Sequence, residues 1–232
     1  MGESHPLDNS VYSALTGPHA HFAQRRGNAV RYPLDMSPFM ALPESPDDAD
    51  WADIAALAGP GGDVTLTALT VEPPDGWEVV TRITVLQLID DGVAAAPDQE
   101  AVRLTQADVP EMLALAERTK PGPFLPRTIE MGTYLGIRHG GRLVAMAGER
   151  LRLPGWTEIS GVCTDADRRG HGLGTRLMLA VAAGIRERGE TPFLHVVASN
   201  TNALRLYESL GFRLHRTVTL VLTRPPGEAP TR

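Results

Sequence analysis

The chain is poor in cysteine, in positive charge and in long apolar runs, and each shortage excludes a class of protein. Its 232 residues include one cysteine, Cys163, which excludes an internal disulfide and agrees with a reducing compartment. The formal net charge is −6 and no basic tract occurs, so we expect neither nucleic acid nor an anionic membrane as a partner. No apolar run reaches the length of a membrane-spanning helix, which predicts a chain that does not cross a membrane.

Two further absences narrow the location and the chemistry. Residues 1–6 lack the basic-then-apolar pattern of a secretion signal, and we therefore expect a cytoplasmic protein. His19 and His21 have a spacing found in metal sites, but no third or fourth ligand is identifiable, so the sequence predicts no metal. Hydrophobic residues at 42% and charged residues at 22% are typical of a globular protein, and the length gives room for one large domain or two modest ones.

The most informative feature that is present is a glycine-rich loop between a strand and a helix. The apolar strand is predicted at 157–163 and the helix from about residue 172 to 188. Such a loop presents several backbone N–H groups and a helix N-terminus to one anion, and an arginine adds a fixed positive charge. We predict that this loop binds phosphate; its residues are Arg168, Arg169, Gly170, His171, Gly172, Leu173, Gly174 and Thr175. Whether Arg168 flanks the phosphates or is only solvated stays open.

Two common phosphate loops do not match this segment. A P-loop needs Lys and then Ser or Thr after its last glycine, whereas Gly174 is followed by Thr175 and Arg176. The dinucleotide fingerprint needs Gly-x-Gly-x-x-Gly and an acidic residue at the end of the next strand, which here ends in Ser199 and Asn200. A nicotinamide or flavin cofactor is therefore not expected.

The remaining pattern, Arg169-x-x-Gly172-x-Gly174, resembles the signature with which the GNAT acyltransferase superfamily holds the pyrophosphate of coenzyme A. A second part of that signature follows at the expected distance in residues 200–212, as Asn-x-x-Ala-x-x-Leu-Tyr-Glu-x-x-Gly-Phe. The resemblance covers about residues 101–224 and is closest to the glycine-N-acyltransferase-like branch. It implies acetyl-CoA as the co-substrate.

The same resemblance implies a fold and a division into domains. The fold class is α/β (α+β), the GNAT fold, with a mixed, mostly antiparallel sheet flanked by helices and a smaller α/β lobe before it. A turn and a proline-containing connector of small residues mark the boundary. We expect an N-terminal lobe at 1–95, implied to be a degenerate GNAT-like half, a GNAT domain at 101–224 and a disordered tail at 225–232. The lobe is predicted to contain a helix at 48–57 and strands at 64–71 and 77–89.

The end of the strand before the loop is implied to hold the thioester end of acetyl-CoA. In the resembled family this strand splays from its neighbour, so Val162, Cys163 and Thr164 are expected to contact the thioester carbonyl and the pantetheine arm. An N–H at Val162 would stabilise the oxyanion of the tetrahedral intermediate, unless the strand is fully paired. Cys163 is predicted to pack rather than to act as a nucleophile. Asn200 is expected to bond the pantetheine arm, or else to cap a turn or helix.

Two side chains are the candidates for proton transfer. The resemblance implies Tyr207 as the acid that protonates the leaving thiolate, against the alternative of a core tyrosine on an apolar helix stripe. It implies Glu158 as the base that deprotonates the ammonium, against the alternative of a carboxylate facing solvent or an arginine. Glu149 and Glu130 are weaker rivals for the base. His195, inside an apolar strand, is predicted to be a satisfied core histidine.

We therefore expect an acyl-CoA-dependent N-acyltransferase that moves an acetyl group from acetyl-CoA to an amine by direct attack in a ternary complex. The acceptor is expected to be a small molecule bound beside the segment 121–136, with the N-terminal lobe closing or supporting one side of the site. Peptide or protein N-acetylation and a non-catalytic acyl-CoA-binding sensor stay open as alternatives, and so does a homodimer.

Overall fold

The structure, a computed structural model, describes residues 5–68 and 72–226. Its strands within these ranges are β1 Gln24–Arg26, β2 Ala29–Arg31, β3 Met40–Ala41, β4 Val64–Ala68, β5 Glu78–Asp90, β6 Val102–Arg103, β7 Tyr134–His139, β8 Arg142–Leu153, β9 Trp156–Thr164, β10 Thr191–Val197 and β11 Phe212–Arg224. Its α-helices are α1 Ser10–Thr16, α2 Asp48–Ala58, α3 Val109–Thr119, α4 Leu173–Glu187 and α5 Thr201–Ser209. No helix in these two ranges is both long and apolar enough to cross a membrane.

An eight-stranded sheet organises the molecule, in the order β4-β11-β5-β10-β9-β8-β7-β6. Every neighbouring pair in it is antiparallel except β9 and β10, which are parallel. The predicted mixed, mostly antiparallel sheet is thereby confirmed. The parallel pair matters for function, because β9 leads into the glycine-rich loop.

Helices cover both faces of this sheet. On one face, α4 places Leu177, Val181 and Ile185 against Ala145 and Ile159 of the sheet, and α5 packs beside it. This spacing of apolar residues along α4 is the helical period predicted from the sequence. On the other face lie α1 and α3, which bury apolar side chains against β8, β9 and β10. The two faces are therefore separately packed, and any passage between them must run through the sheet.

The N-terminal segment adds a small antiparallel sheet of β1, β2 and β3 and the helix α2. The helix predicted at 48–57 is confirmed, with Asp47 as its N-terminal cap and Gly59 at φ 80° after its last turn. Its Trp51 and Ile54 pack on Val64 and Leu66 of β4. The segment is thus anchored on the edge of the large sheet.

Strands predicted for the N-terminal lobe belong to the large sheet itself. β4 pairs with β11, and β5 lies between β11 and β10. Alternation of apolar residues predicts that a strand exists but does not say which strand it pairs with, so this placement was not visible in the sequence. The division into 1–95 and 101–224 stays a prediction. Any such division has to explain why strands from both sides of the connector pair in one sheet. Residues 69–71 of one predicted strand and 227–232 of the predicted tail lie outside the described residues.

Candidate active site

The parallel strands β9 and β10 separate from each other halfway along. Their register joins three residue pairs, of which Glu158 with Phe193 is the last. The remaining residues, 159–164 of β9 and 194–197 of β10, have no pairing with each other. A gap therefore opens in the middle of the sheet, and it widens toward the glycine-rich loop.

A β-bulge lies in β9 beside this gap. On its other side β9 pairs with β8 through Cys163 with Met146 and Ser160 with Gly148, so two residues, Gly161 and Val162, face one on β8. Gly161 has φ 65°, the left-handed region that glycine adopts without strain. Val162 is paired with no residue of β8 or of β10 in the strand register. This arrangement is what a free amide at Val162 requires.

The glycine-rich loop leads from β9 to the N-terminus of α4. Gly170 and Gly172 have φ values of 79° and 72°, and a Cβ at either position would meet no atom within 4 Å. Gly172 is the N-cap of α4, no side chain caps the helix there, and its first turn has no acidic residue. The N–H groups of the first turn thus face the open space beside the two glycines, as an anion-binding helix N-terminus requires.

The remaining loop residues differ in what they can offer an anion. Arg169 is exposed, and its closest polar contact is an Nε to Thr164 O distance of 3.4 Å. His171 is exposed too, but its Nδ1 lies 3.0 Å from Arg169 O, so the ring is turned toward its own loop. Arg168 is half-buried and its Nε has no hydrogen-bond partner among the described residues. Arg176 pairs with Asp98 at 2.7 Å and is not available.

The residues that join the β9 bulge to α4 determine how closely the first turn of α4 packs on the end of β9. Cys163 is buried, which raises the pKa of its thiol and suits a packing residue. A Cβ at Gly174 would lie 3.4 Å from Thr164 Oγ1 and 3.7 Å from Val162 Cγ1. Leu173 and Thr175 are half-buried in the first turn. The first turn of α4 therefore rests directly on the end of β9.

A cleft of about 280 Å³ passes through the gap between the splayed strands. We call one wall the donor side; it is formed by Val196, Val197, Asn200 and Tyr207, toward α5. We call the other wall the acceptor side; it is formed by Val11, Phe39, Arg150 and the loop 120–123. Because α1 and α5 lie on opposite faces of the sheet, the cleft connects the two faces.

Tyr207 and Asn200 come from α5 and line the donor side. The Tyr207 ring packs in the core beside Phe212, and burial raises the pKa of its phenol, so the phenol is protonated at neutral pH. No hydrogen bond within the described residues occupies its hydroxyl. Asn200 caps α5, since its Oδ1 accepts from Ala203 N at 3.2 Å. Its Nδ2 group is left for a ligand.

Glu158 sits in a buried polar network on the acceptor side. Both its oxygens are engaged, at 2.9 and 2.7 Å by Arg150 and at 2.8 Å by His195 Nδ1. His195 Nε2 lies 3.1 Å from Gln87 Nε2, so both ring nitrogens have partners as predicted, but the residue is half-buried and lines the cleft rather than lying in the core. Burial alone would raise the pKa of Glu158, but Arg150 and His195 outweigh it and lower the pKa to about 2. A carboxylate held in this way is a weak base.

The two rival carboxylates lie away from the cleft. Glu149 pairs with Arg188 at 3.0 Å, and Glu130 pairs with Arg127 at 2.8 Å. His19, predicted not to hold a metal, is buried with its Nδ1 2.9 Å from the Tyr32 hydroxyl. No group of three or more metal-ligating side chains occurs in residues 5–68 and 72–226.

Sequence reasoning missed the residues that build the acceptor side. Gln87 interrupts the apolar stretch 85–89, and that interruption is a signal that could have pointed to it, whereas Arg150 stands between Glu149 and Arg152 and carries no such signal. Val11 and Phe39 carry no signal, because they reach the cleft only through the packing of the N-terminal segment. The predicted acceptor segment 121–136 contributes its first residues, together with Lys120.

Comparison with known proteins shows which protein family the chain is similar to. The family model described as FR47-like protein matches residues 134–221, which include the splayed strands and the glycine-rich loop. A protein from Novosphingobium aromaticivorans, assigned to the GNAT-family acetyltransferases, has a crystal structure with a TM-score of 0.87 and 42% sequence identity, covering 96% of this chain and 99% of that one. A GCN5-related N-acetyltransferase from Kribbella flavida shares the fold at a TM-score of 0.59 and 19% identity, covering 94% and 95% of the two chains.

Two mycothiol acetyltransferases are similar over shorter stretches. The protein from Thermobispora bispora is 50% identical over 56 residues, which is 24% of this chain and 19% of that protein. The protein from Thermomonospora curvata is 35% identical over 96 residues, 41% of this chain and 32% of that protein. The chain thus matches well under two thirds of the length of either relative.

Proposed function

The chain belongs to the GNAT family of acetyltransferases, and on that premise we propose that it transfers an acetyl group from acetyl-CoA to the amine of a small molecule. The observation that carries this proposal is the cleft through the sheet. The cleft lies between the splayed parts of β9 and β10, and β9 continues from there into the glycine-rich loop, which is suited to phosphate. A thioester held along the gap would meet an amine arriving from the opposite face.

The donor half of the proposal rests on the glycine-rich loop. The N–H groups of Gly170 to Thr175, with Arg169 and Arg168 beside them, would hold the pyrophosphate of acetyl-CoA. Positive φ at Gly170 and Gly172 and the open space in front of them are consistent with close approach of an anion. The pantetheine arm would run along Val162 to Thr164, with Asn200 as a further partner. The acetyl group would then reach the gap between β9 and β10.

Proton transfer is assigned to Tyr207 and to water. Attack of a neutral amine on the thioester expels a thiolate, and the Tyr207 phenol lines the cleft where it can protonate that group. The Val162 amide would stabilise the oxyanion of the tetrahedral intermediate. For the ammonium proton we favour water over Glu158. A pKa of about 2 and two occupied oxygens make Glu158 a weak base but a strong support for Arg150 and His195.

The acceptor is proposed to be small. A cleft of about 280 Å³ lies at the lower end of the range for small-molecule sites, which is too little for a protein surface to enter beyond one side chain. The mycothiol acetyltransferases make a thiol-bearing amine one candidate acceptor class. The resemblance to the glycine-N-acyltransferase-like branch, with a degenerate N-terminal half, stays a prediction of the loop sequence. We propose in addition a cytoplasmic location, no nucleic-acid or membrane partner, and a homodimer.

The test separates an enzyme from a non-catalytic sensor. Isothermal titration with acetyl-CoA reports donor binding, and release of the coenzyme A thiol over a panel of small amines and short peptides reports transfer. We expect binding together with thiol release that depends on the added amine. Binding without release on any acceptor would favour the sensor, and release confined to peptides would favour peptide or protein N-acetylation.

A further inference from the structure

The Arg150 guanidinium has unused hydrogen-bonding capacity inside the cleft. Its Nε and Nη2 groups donate to Glu158 at 2.9 and 2.7 Å, while Nη1 has no partner among the described residues. Arg150 lines the cleft. Its Nη1 lacks a partner but is not fully enclosed, so it keeps accessible surface there. Two N–H donors therefore face the space that a small acceptor would occupy.

The position of this guanidinium is fixed from two directions. The bidentate contact with Glu158 holds its plane, and its Cζ lies 5.1 Å from the centre of the Phe39 ring, which covers one face. His195 in turn holds the other side of the Glu158 carboxylate. An arginine held in this way loses little freedom when it binds a ligand, so its free donors are well suited to recognition.

The charge of the cleft indicates what those donors would bind. Among residues 5–68 and 72–226, no aspartate or glutamate lines the cleft, whereas Lys120 and Arg150 both do. Glu158 balances Arg150 from behind, which leaves Lys120 as a net positive charge at the wall. A second cationic group on the acceptor would find no counter-charge here, while an oxygen would find donors.

Resting on the proposed function, we propose that Arg150 recognises the acceptor through a carbonyl or carboxylate oxygen close to the reacting amine. Nη1 donates to that oxygen, and the small volume of the cleft keeps the oxygen within a few bonds of the nitrogen that attacks the thioester. The substrate class is thus amines of the amino-acid or amino-acid-amide type. Simple alkylamines and polyamines lack the group that Arg150 would bind.

Three acceptors of similar shape test this inference in the wild-type protein: alanine, alaninamide and isopropylamine, compared at equal concentrations of unprotonated amine. A hydrogen bond to a charged group predicts that alanine or alaninamide exceeds isopropylamine by roughly 10- to 100-fold in kcat/KM. A preference for alanine would identify a carboxylate, and a preference for alaninamide a neutral carbonyl. Isopropylamine acetylated as well as either of the others would overturn the inference and leave the proposed function standing.

A variant ties the preference to Arg150. Arg150→Lys keeps a positive charge beside Glu158 but loses the second set of donors, so the ratio of kcat/KM for alaninamide to that for isopropylamine should fall toward one. Arg152→Lys, on the same strand but paired with Glu190 away from the cleft, should keep the wild-type ratio. An unchanged ratio in Arg150→Lys contradicts the assignment. If this variant does not fold, as thermal unfolding would show, the wild-type comparison still decides.

Titration of alanine and of alaninamide into protein saturated with coenzyme A separates failure of the inference from failure of the proposed function. Weaker binding of either acceptor to Arg150→Lys than to Arg152→Lys supports recognition by Arg150 even where no acetyl transfer is measured. Equal binding of both acceptors to the two variants, or no binding of either to the wild type, overturns it.

Discussion

The proposed acetyl-CoA contacts, in the glycine-rich loop and on the donor side of the cleft, come from two stretches of chain, 162–175 and 196–207, whereas the acceptor side draws on residues from four distant segments, at 11, 39, 120–123 and 150. The loop offers mainly backbone N–H groups and positive-φ glycines on the surface, and the donor side adds Asn200 and Tyr207. The acceptor side depends on buried charge, with Arg150, Glu158 and His195 bonded to one another. On the proposed assignment, contact with acetyl-CoA needs a local motif, while contact with the acceptor needs the whole packed core.

This difference predicts that the two sides respond differently to substitution. Changes on the donor side should alter acetyl-CoA binding or turnover at little cost in stability. Changes on the acceptor side should alter the free energy of unfolding as well, because its polar groups are buried and mutually dependent. The following substitutions test that contrast.

Glu158→Gln should give the largest effect. It leaves the Arg150 charge buried without its counter-ion, and removal of one partner of such a pair costs about 3–5 kcal/mol of unfolding free energy. Urea unfolding measures the change. Asp91→Asn, which removes one partner of the exposed pair with Arg213, should cost less than about 1 kcal/mol. Equal losses of unfolding free energy in the two variants would contradict a stabilising role for the buried network of Arg150, Glu158 and His195.

Tyr207→Phe should affect turnover and not stability. Loss of a general acid lowers kcat by roughly 10²- to 10³-fold, while the acetyl-CoA dissociation constant stays close to that of the wild type. Steady-state kinetics and titration measure the two quantities. Tyr12→Phe, a half-buried tyrosine of α1 outside the cleft lining, is the matched control and should keep the wild-type kcat. An unchanged kcat in Tyr207→Phe would exclude Tyr207 as the acid.

Acid should destabilise the N-terminal segment that supports the acceptor side. Burial, with a smaller contribution from His21, lowers the pKa of His19 from 6.5 to about 4. The unfolded chain binds this proton first, so stability is complete above pH 6.5 and falls by roughly 3 kcal/mol as the pH drops toward 4. Glu158, whose pKa is lowered from 4.5 to about 2, adds a further loss below pH 4.5.

Urea midpoints between pH 7 and pH 4 measure the His19 contribution. His19→Asn keeps an acceptor for the Tyr32 hydroxyl but cannot be protonated, so most of the loss between pH 6.5 and 4 should disappear. His21→Asn, at an exposed position, should keep most of the loss, reduced only by the small contribution of His21 to the His19 shift. Identical profiles for the two variants would contradict the assignment.

Gly172→Val should weaken donor binding at a modest cost in stability. A valine at φ 72° costs about 1–2 kcal/mol, and its side chain would extend toward the space proposed for the pyrophosphate. The acetyl-CoA dissociation constant should rise roughly tenfold or more. Gly59→Val, at φ 80° and ψ 172° after the last turn of α2 with equally open surroundings, should cost at least as much stability and leave donor binding unchanged. Similar binding in both variants would contradict the proposed phosphate site.

The contrast between the two sides also explains what the sequence could predict. Arg169, Gly172 and Gly174 form a pattern readable from neighbouring residues, because a strand, a turn and a helix start are local events. The pairing of β5 between β10 and β11 is not local, and neither is the contact of Phe39 with Arg150, whose residues are over a hundred positions apart. Glu158 illustrates both what the sequence could predict and what it could not. Its place in the strand before the loop was evident, but its bonds to Arg150 and His195 depend on register and packing.

Initial-rate kinetics with both substrates varied test most directly the claim that the cleft holds donor and acceptor at the same time. Direct attack across the splayed strands predicts double-reciprocal lines that intersect, because both substrates must be bound before the thiol is released. Parallel lines, together with thiol release in the absence of acceptor, would instead show an acetylated protein intermediate and would contradict the account.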